Sequence, residues 1–170
     1  DSLLSPKSLY GYQKLILEQM LIESTIPYII LRVSNPYGFS NHYNNSHGLI
    51  DVILNKIVKN EEIVIFGDGS NVKDYIYIED LLTVVVKVIN LEVKNEILNI
   101  GYGESHSINK ILKIIQKTIQ QKFDIKYEDS FNMDIKEIYL DVSKMEDLLH
   151  WKPQVNLERG IQEIYKIVNK

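Results

Sequence analysis

Cysteine and alanine are both missing from this 170-residue chain, and arginine occurs only at Arg32 and Arg159. Without cysteine there are no disulfides, no thiolate metal sites and no thiol nucleophile. Histidine occurs four times, at His42, His47, His106 and His150, never with H-x-x-x-H spacing. No metal is expected from them, and their expected places are solvated loops and helix ends. Charge of one sign is also scarce: the net charge is −4 and the pI about 5.6, with no basic run. That argues against nucleic acid or an anionic membrane as partner. Apolar runs are short; residues 81–86, interrupted by Thr83, fall far below the ~20 needed to span a bilayer. The scarcity of alanine and arginine beside abundant isoleucine and lysine reads as drift in an A/T-rich genome. A lysine in an arginine's place therefore carries little weight by itself.

What is present is ordinary for a globular protein: 45% apolar and 25% charged residues in 19.8 kDa, enough for one domain or slightly more. The chain opens on Asp1, without a signal-peptide pattern, and is expected to be part of something longer. Helical and extended patterns alternate along it without repeats. Ser5-Pro6 suits a helix start, and residues 5–24 are apolar on nearly every side, which predicts a helix sandwiched between two surfaces. Residues 28–33 form a continuous apolar run of the buried parallel-strand kind. A loop is expected at 35–46, a helix at 49–58, and strands at 63–66 and 74–78. A helix should follow at 81–89, opened by Glu79-Asp80, and then a strand at 97–100. Ser107 should cap an amphipathic helix with Ile108, Ile111, Leu112, Ile115 and Ile119 on one face. Strands are expected at 125–127 and 138–140, and helices at 143–149 and after Asn156. Strands separated by helices predict an α/β fold with parallel pairing.

Tyr10 and Lys14 stand four apart on the first helix and share a face. An ammonium beside a phenol stabilises the phenolate, giving a group able to take a proton from a hydroxyl. Among 11 tyrosines, about one Tyr-x-x-x-Lys arises by chance, and one is found. Alone, the pair means nothing. Its setting is more specific: Pro6-Lys7-Ser8-Leu9-Tyr10-Gly11-Tyr12-Gln13-Lys14 reads P-x-S-x-Y-G-x-x-K. Gly11 inside a helix calls for a group approaching the backbone closely. Four further blocks follow in order: residues 32–38 (RVSNPYG), 65–80 (IFGDGSNVKDYIYIED), 99–103 (NIGYG), and 141–144 (DVSK) with 151–153 (WKP).

In these five blocks the chain resembles the extended short-chain dehydrogenase/reductases, specifically the NAD-dependent nucleotide-sugar epimerases and dehydratases, and most of all the UDP-glucose 4-epimerase type of surface-polysaccharide pathways. The resemblance implies the C-terminal part of a doubly wound, Rossmann-type parallel sheet plus a smaller α/β substrate-binding domain. Residues 1–35 and 74–102 would belong to the NAD-binding part, and 36–73 and 103–170 to the nucleotide-sugar part. The glycine-rich fingerprint and the catalytic Ser/Thr would lie upstream of Asp1, so the fragment alone is expected to be inactive.

The resemblance further implies that Tyr10 is the general base and acid, and that Lys14 binds the nicotinamide ribose and tunes Tyr10. Ser34 would approach the nicotinamide end of NAD. Asn35 would contact the sugar nucleotide, Leu49 and Phe66 would line the uracil pocket, and Lys73 would face the diphosphate where the family has arginine. A second diphosphate arginine, three residues before the aspartate matched by Asp134, is replaced by Phe131. The implied reaction is inversion at C4 of a UDP-hexose through a 4-keto intermediate. A 4,6-dehydratase, a 4-keto reductase and a non-catalytic sugar-nucleotide or NAD-binding protein remain as alternatives. A cytoplasmic homodimer, joined through the helix carrying Tyr10 and Lys14, is the implied assembly.

Overall fold

The computed structural model describes residues 3–38, 48–129 and 135–169. Its first helix, α1 (Leu9–Ile22), begins later than the sequence suggests: Ser8 caps it, its Oγ accepting from the Gly11 N–H at 3.1 Å. Ser5 and Pro6 precede the helix. The expected close approach to Gly11 comes from Pro6 itself, whose Cβ would lie 3.1 Å from an added methyl. The expectation of a sandwiched helix is not met among the described residues: α1 buries no side chain, and Leu9, Ile16, Leu17 and Met20 are exposed. Its side-chain tie to the sheet is a fork from Arg32 to Glu18, with contacts of 2.6, 3.1 and 3.2 Å.

Arg32 lies on β1 (Ile29–Val33), which pairs in parallel with β5 (Glu96–Ile100), Ile29 opposite Glu96 and Val33 opposite Ile100. Two residues on, β2 (Asn35–Tyr37) pairs in parallel with β4 (Val72–Tyr77). The sequence reads Asn35 as the start of a loop, yet the chain stays extended through Tyr37. Pro36 is tolerated because β2 is the edge of the order β2-β4-β6. The third member, β6 (Ser105–Ser107), runs antiparallel to β4. Its polar Ser-His-Ser gives no hydrophobic alternation to betray it. The strand expected at 138–140 does not form; one bridge between Val72 and Glu137 takes its place. The remaining pair is β3 (Ile63–Phe66) with β7 (Ile125–Glu128), also parallel.

Helices fill the connections: α2 (Leu49–Val58), α3 (Ile78–Ile89), α4 (Ile108–Ile119), α5 (Ser143–Leu149) and α6 (Leu157–Val168). Ser107 and Asn156 cap α4 and α6, accepting from Lys110 N and Arg159 N, as the sequence predicts. Strand alternation on β4 divides the interior in two. Tyr75 and Tyr77 point into a cluster built from α2, β3, α4 and α6, while Ile76, on the opposite face, joins β5, α3 and α5. Two buried acids stitch these parts together. The Asp80 carboxylate, in the first turn of α3, accepts from Gln154 N and Val155 N at 3.0 and 2.8 Å. The Asp74 carboxylate accepts from Tyr102 N and Gly103 N at 2.9 and 2.7 Å. Gly101 is required there, since a Cβ would sit 2.8 Å from Asp74 Oδ1. No described helix is long and apolar enough to cross a membrane.

Candidate active site

Strand ends and one helix start converge on a cavity of about 510 Å³. Ser34 and Asn35 reach it from the junction of β1 and β2, Leu49 from the first turn of α2, Phe66 from the end of β3, and Lys73 from β4. The cavity thus gathers five residues widely spaced in sequence. Tyr37, Tyr75 and Ile108 are also in its wall, and sequence reasoning missed them. The signal for Tyr75 was its period-2 spacing from Lys73.

Asn35 is held in place by its own amide: Nδ2 donates to the Asp74 carbonyl at 2.8 Å, leaving its second N–H and its Oδ1 for other partners. Ser34 Oγ is buried and has no hydrogen-bond partner among the described residues. A buried hydroxyl without a partner costs free energy unless a ligand or water meets it. Phe66 is 57% exposed and lies at the cavity edge, an apolar plane available to a flat ring. The apolar end of the cavity is therefore formed by Leu49 and Phe66, while Lys73 brings positive charge.

Tyr10 and Lys14 are not in the cavity wall. They lie on the exposed face of α1, with Lys14 Nζ 5.3 Å from the centre of the Tyr10 ring. Arg32 fixes the helix that carries them. Its hydrogen bonds to Glu18 hold the guanidinium pKa above its ordinary value. Tyr37 lines the cavity floor and is almost fully buried; burial first, then the neighbouring Tyr77 and Asp80, push its phenol pKa well up.

The histidines divide. His150 is an exposed helix-end residue in the left-handed region, as expected. His106 is not solvated; it sits in β6 with its side chain only 15% exposed. His42, His47, Phe131 and Asp134 lie outside the described residues. No cluster of metal-ligating side chains exists among the described residues.

Residues 1–101 match the NAD dependent epimerase/dehydratase family. The chain belongs to that family. One curated member, the dTDP-4-dehydro-6-deoxyglucose reductase of Escherichia coli, is 33% identical over 99% of this chain and 54% of its own length. Among solved members, UDP-glucose 4-epimerase with UDP-glucose from Thermotoga maritima superposes with a TM-score of 0.84. It is 28% identical, over 93% of this chain and 52% of that one. UDP-glucuronic acid 4-epimerase from Bacillus cereus, in complex with UDP-glucuronic acid and NAD, gives a TM-score of 0.85. It is 26% identical, over 96% of this chain and 53% of that one. The chain spans about half the length of the relatives it matches. Its α/β architecture with parallel sheets is that of the Rossmann-type epimerases over that half.

Proposed function

We propose that the whole protein is an NAD-dependent nucleotide-sugar 4-epimerase acting on a UDP-hexose. The observation that carries this reading is the cavity itself, which gathers Ser34, Asn35, Leu49, Phe66 and Lys73. Leu49 and Phe66 suit a pyrimidine ring, Lys73 a diphosphate, and Asn35 the sugar hydroxyls. Lysine meets phosphate as a point charge, without the bidentate fork of arginine.

The residues present fit a nicotinamide cofactor at the other end. The Ser34 hydroxyl is buried and lacks a protein partner among the described residues, and the Lys14 ammonium, on an exposed face, can donate to ribose hydroxyls. When bound, NAD supplies a hydride acceptor that is regenerated in each turnover. The chain's own part is proton transfer: Tyr10 Oη accepts the proton of the sugar 4-hydroxyl and later returns it. Lys14, one turn along, places its ammonium 5.3 Å from the centre of the Tyr10 ring. Asn35 and Lys73 hold the nucleotide while the sugar turns.

In the proposed organisation, residues 1–35 and 74–102 carry the cofactor side, and 36–73 and 103–170 the nucleotide-sugar side. The two apolar clusters follow that division in part: Tyr75 and Tyr77 of the cofactor side pack with the nucleotide-sugar side, and Val142 and α5 of the latter pack with β5. The exposed Leu9, Ile16, Leu17 and Met20 support a homodimer joined through α1, with the remainder of the whole protein covering the other side of the helix.

The test is to incubate the whole protein and NAD with UDP-glucose and UDP-N-acetylglucosamine and to read the products by NMR. Formation of the C4 epimer, without net reduction of NAD, is the expected result. The reductase of Escherichia coli favours a second reading, a 4-keto reductase. Consumption of NADH with a 4-keto sugar would establish it, and loss of water from the hexose would establish a dehydratase. Tight binding with no product would leave a non-catalytic binding protein.

A further inference from the structure

The antiparallel register of β4 and β6 sets His106 directly opposite Lys73. Opposed residues of an antiparallel pair project from the same face, with Cβ atoms about 4.5–5.5 Å apart. Ser107 is extended, so Ile108 continues the alternation of His106, and both Ile108 and Lys73 line the cavity. On the same face Asn35 stands opposite Tyr75. The three strands therefore carry a polar row in the order Asn35, Tyr75, Lys73, His106, running away from the Ser34 end. The imidazole is mostly covered, and its Nε2 faces one anion, Glu104 Oε1, at 3.5 Å. That carboxylate is 65% exposed, so water can take over its hydration if the imidazole turns to another acceptor.

We infer that His106 is a second contact for the diphosphate, beside Lys73, exchanging the Glu104 carboxylate for a phosphate oxygen. The inference rests on the nucleotide-sugar reading and extends it by one residue. A lysine alone offers a point charge, whereas an imidazole N–H one strand away adds a directed donor, so the two together hold a pyrophosphate at two points. Glu104 then acts as a competitor, occupying the imidazole when the nucleotide is gone.

Calorimetric titration of the whole protein with UDP and with uridine tests this. His106→Ala should weaken UDP roughly ten- to hundredfold, the worth of a hydrogen bond to a charged group, and leave uridine unchanged. His106→Gln, which keeps an N–H donor, should recover part of the loss. Glu104→Gln should tighten UDP. Unaltered UDP binding in His106→Ala, or equal losses of UDP and uridine, would overturn the assignment. Lys73→Ala separates the two levels. If it weakens UDP and His106→Ala does not, only the His106 contact is wrong. If the wild-type protein does not bind UDP, the nucleotide-sugar reading falls and the inference with it.

Discussion

Lys14 Nζ lies 5.3 Å from the centre of the Tyr10 ring, one turn further along the exposed face of α1. The pair is preorganised by the helix itself, and the helix is tied to β1 by the Arg32–Glu18 fork. Replacing Tyr10 by Phe removes the proposed proton acceptor and leaves the helix and the cavity wall untouched. A general base contributes about 10²–10⁴-fold to a rate, so Tyr10→Phe should reduce kcat by at least that range. UDP affinity, measured by calorimetry on the same preparation, should stay within about twofold, because the variant changes no residue of the cavity wall. Full activity in the Phe variant would remove Tyr10 from the mechanism.

Asp74 shows how the cavity wall is held. Its carboxylate meets two backbone N–H groups, and its carbonyl takes the Asn35 amide. Asp74→Ala strands Tyr102 N and Gly103 N in a partly buried place, each worth up to about 1–3 kcal/mol when unmet. A loss of about 2–4 kcal/mol is expected, read as a lower urea midpoint with unchanged slope. Asp74→Asn keeps one acceptor and should lose less.

These ties bear on what could be read in the sequence. The periodic helices α2, α4 and α6, and the apolar strands β1, β3 and β5, were legible because burial on one face or both writes itself into spacing. β2 and β6 were not, because Asn35-Pro36 and Ser105-His106-Ser107 are extended through pairing with β4, a long-range contact without local trace. The start of α1 was misread for a related reason. Two serines each precede a plausible first turn, and Ser8 alone reaches an amide, that of Gly11. The apolar character of α1 predicts contact on both sides, and among the described residues the helix buries no side chain. Of the candidate site, the motif blocks supplied Ser34, Asn35, Phe66 and Lys73, and the family resemblance supplied Leu49. Tyr75 was within reach of its period-2 spacing from Lys73, whereas Ile108 and the proposed contact at His106 depended on a strand face that becomes visible only once the register is known.

Gly160 gives a packing test. It lies on α6 against the ring of Tyr37, and an added methyl would come within 2.8 Å of ring carbons. The Tyr37 ring is fixed in turn by Tyr77, its centre 5.4 Å away in an edge-on arrangement. Neither aromatic can withdraw, so Gly160→Ala must push α6 from β2. Overpacking of this kind costs about 1–3 kcal/mol, against a small gain from helix propensity. A thermal midpoint lowered by several degrees is expected, and an unchanged or raised midpoint would show that α6 moves freely.

The same Tyr37 predicts an alkaline limit to stability. Burial is the main cause of its raised pKa, with Tyr77 and Asp80 adding to it, while in the unfolded chain the phenol titrates near the ordinary value of 10.0. Tyr77 and Tyr102 are shifted in the same direction, also by burial first. A folded-state pKa above the unfolded one means that the native state keeps its proton when the unfolded state has lost it. The contribution is therefore whole below pH 10 and declines as pH rises beyond it, each fully buried phenol steepening the fall by up to about 1.4 kcal/mol per pH unit. Urea midpoints measured from pH 8 to 11 should be flat at first and then drop. Tyr37→Phe should make that drop shallower, even though it removes a long contact of 3.5 Å to the Asn156 carbonyl and so lowers the plateau slightly. If the Phe variant fell as steeply as the wild type, Tyr37 would not be the group whose ionisation opens the fold.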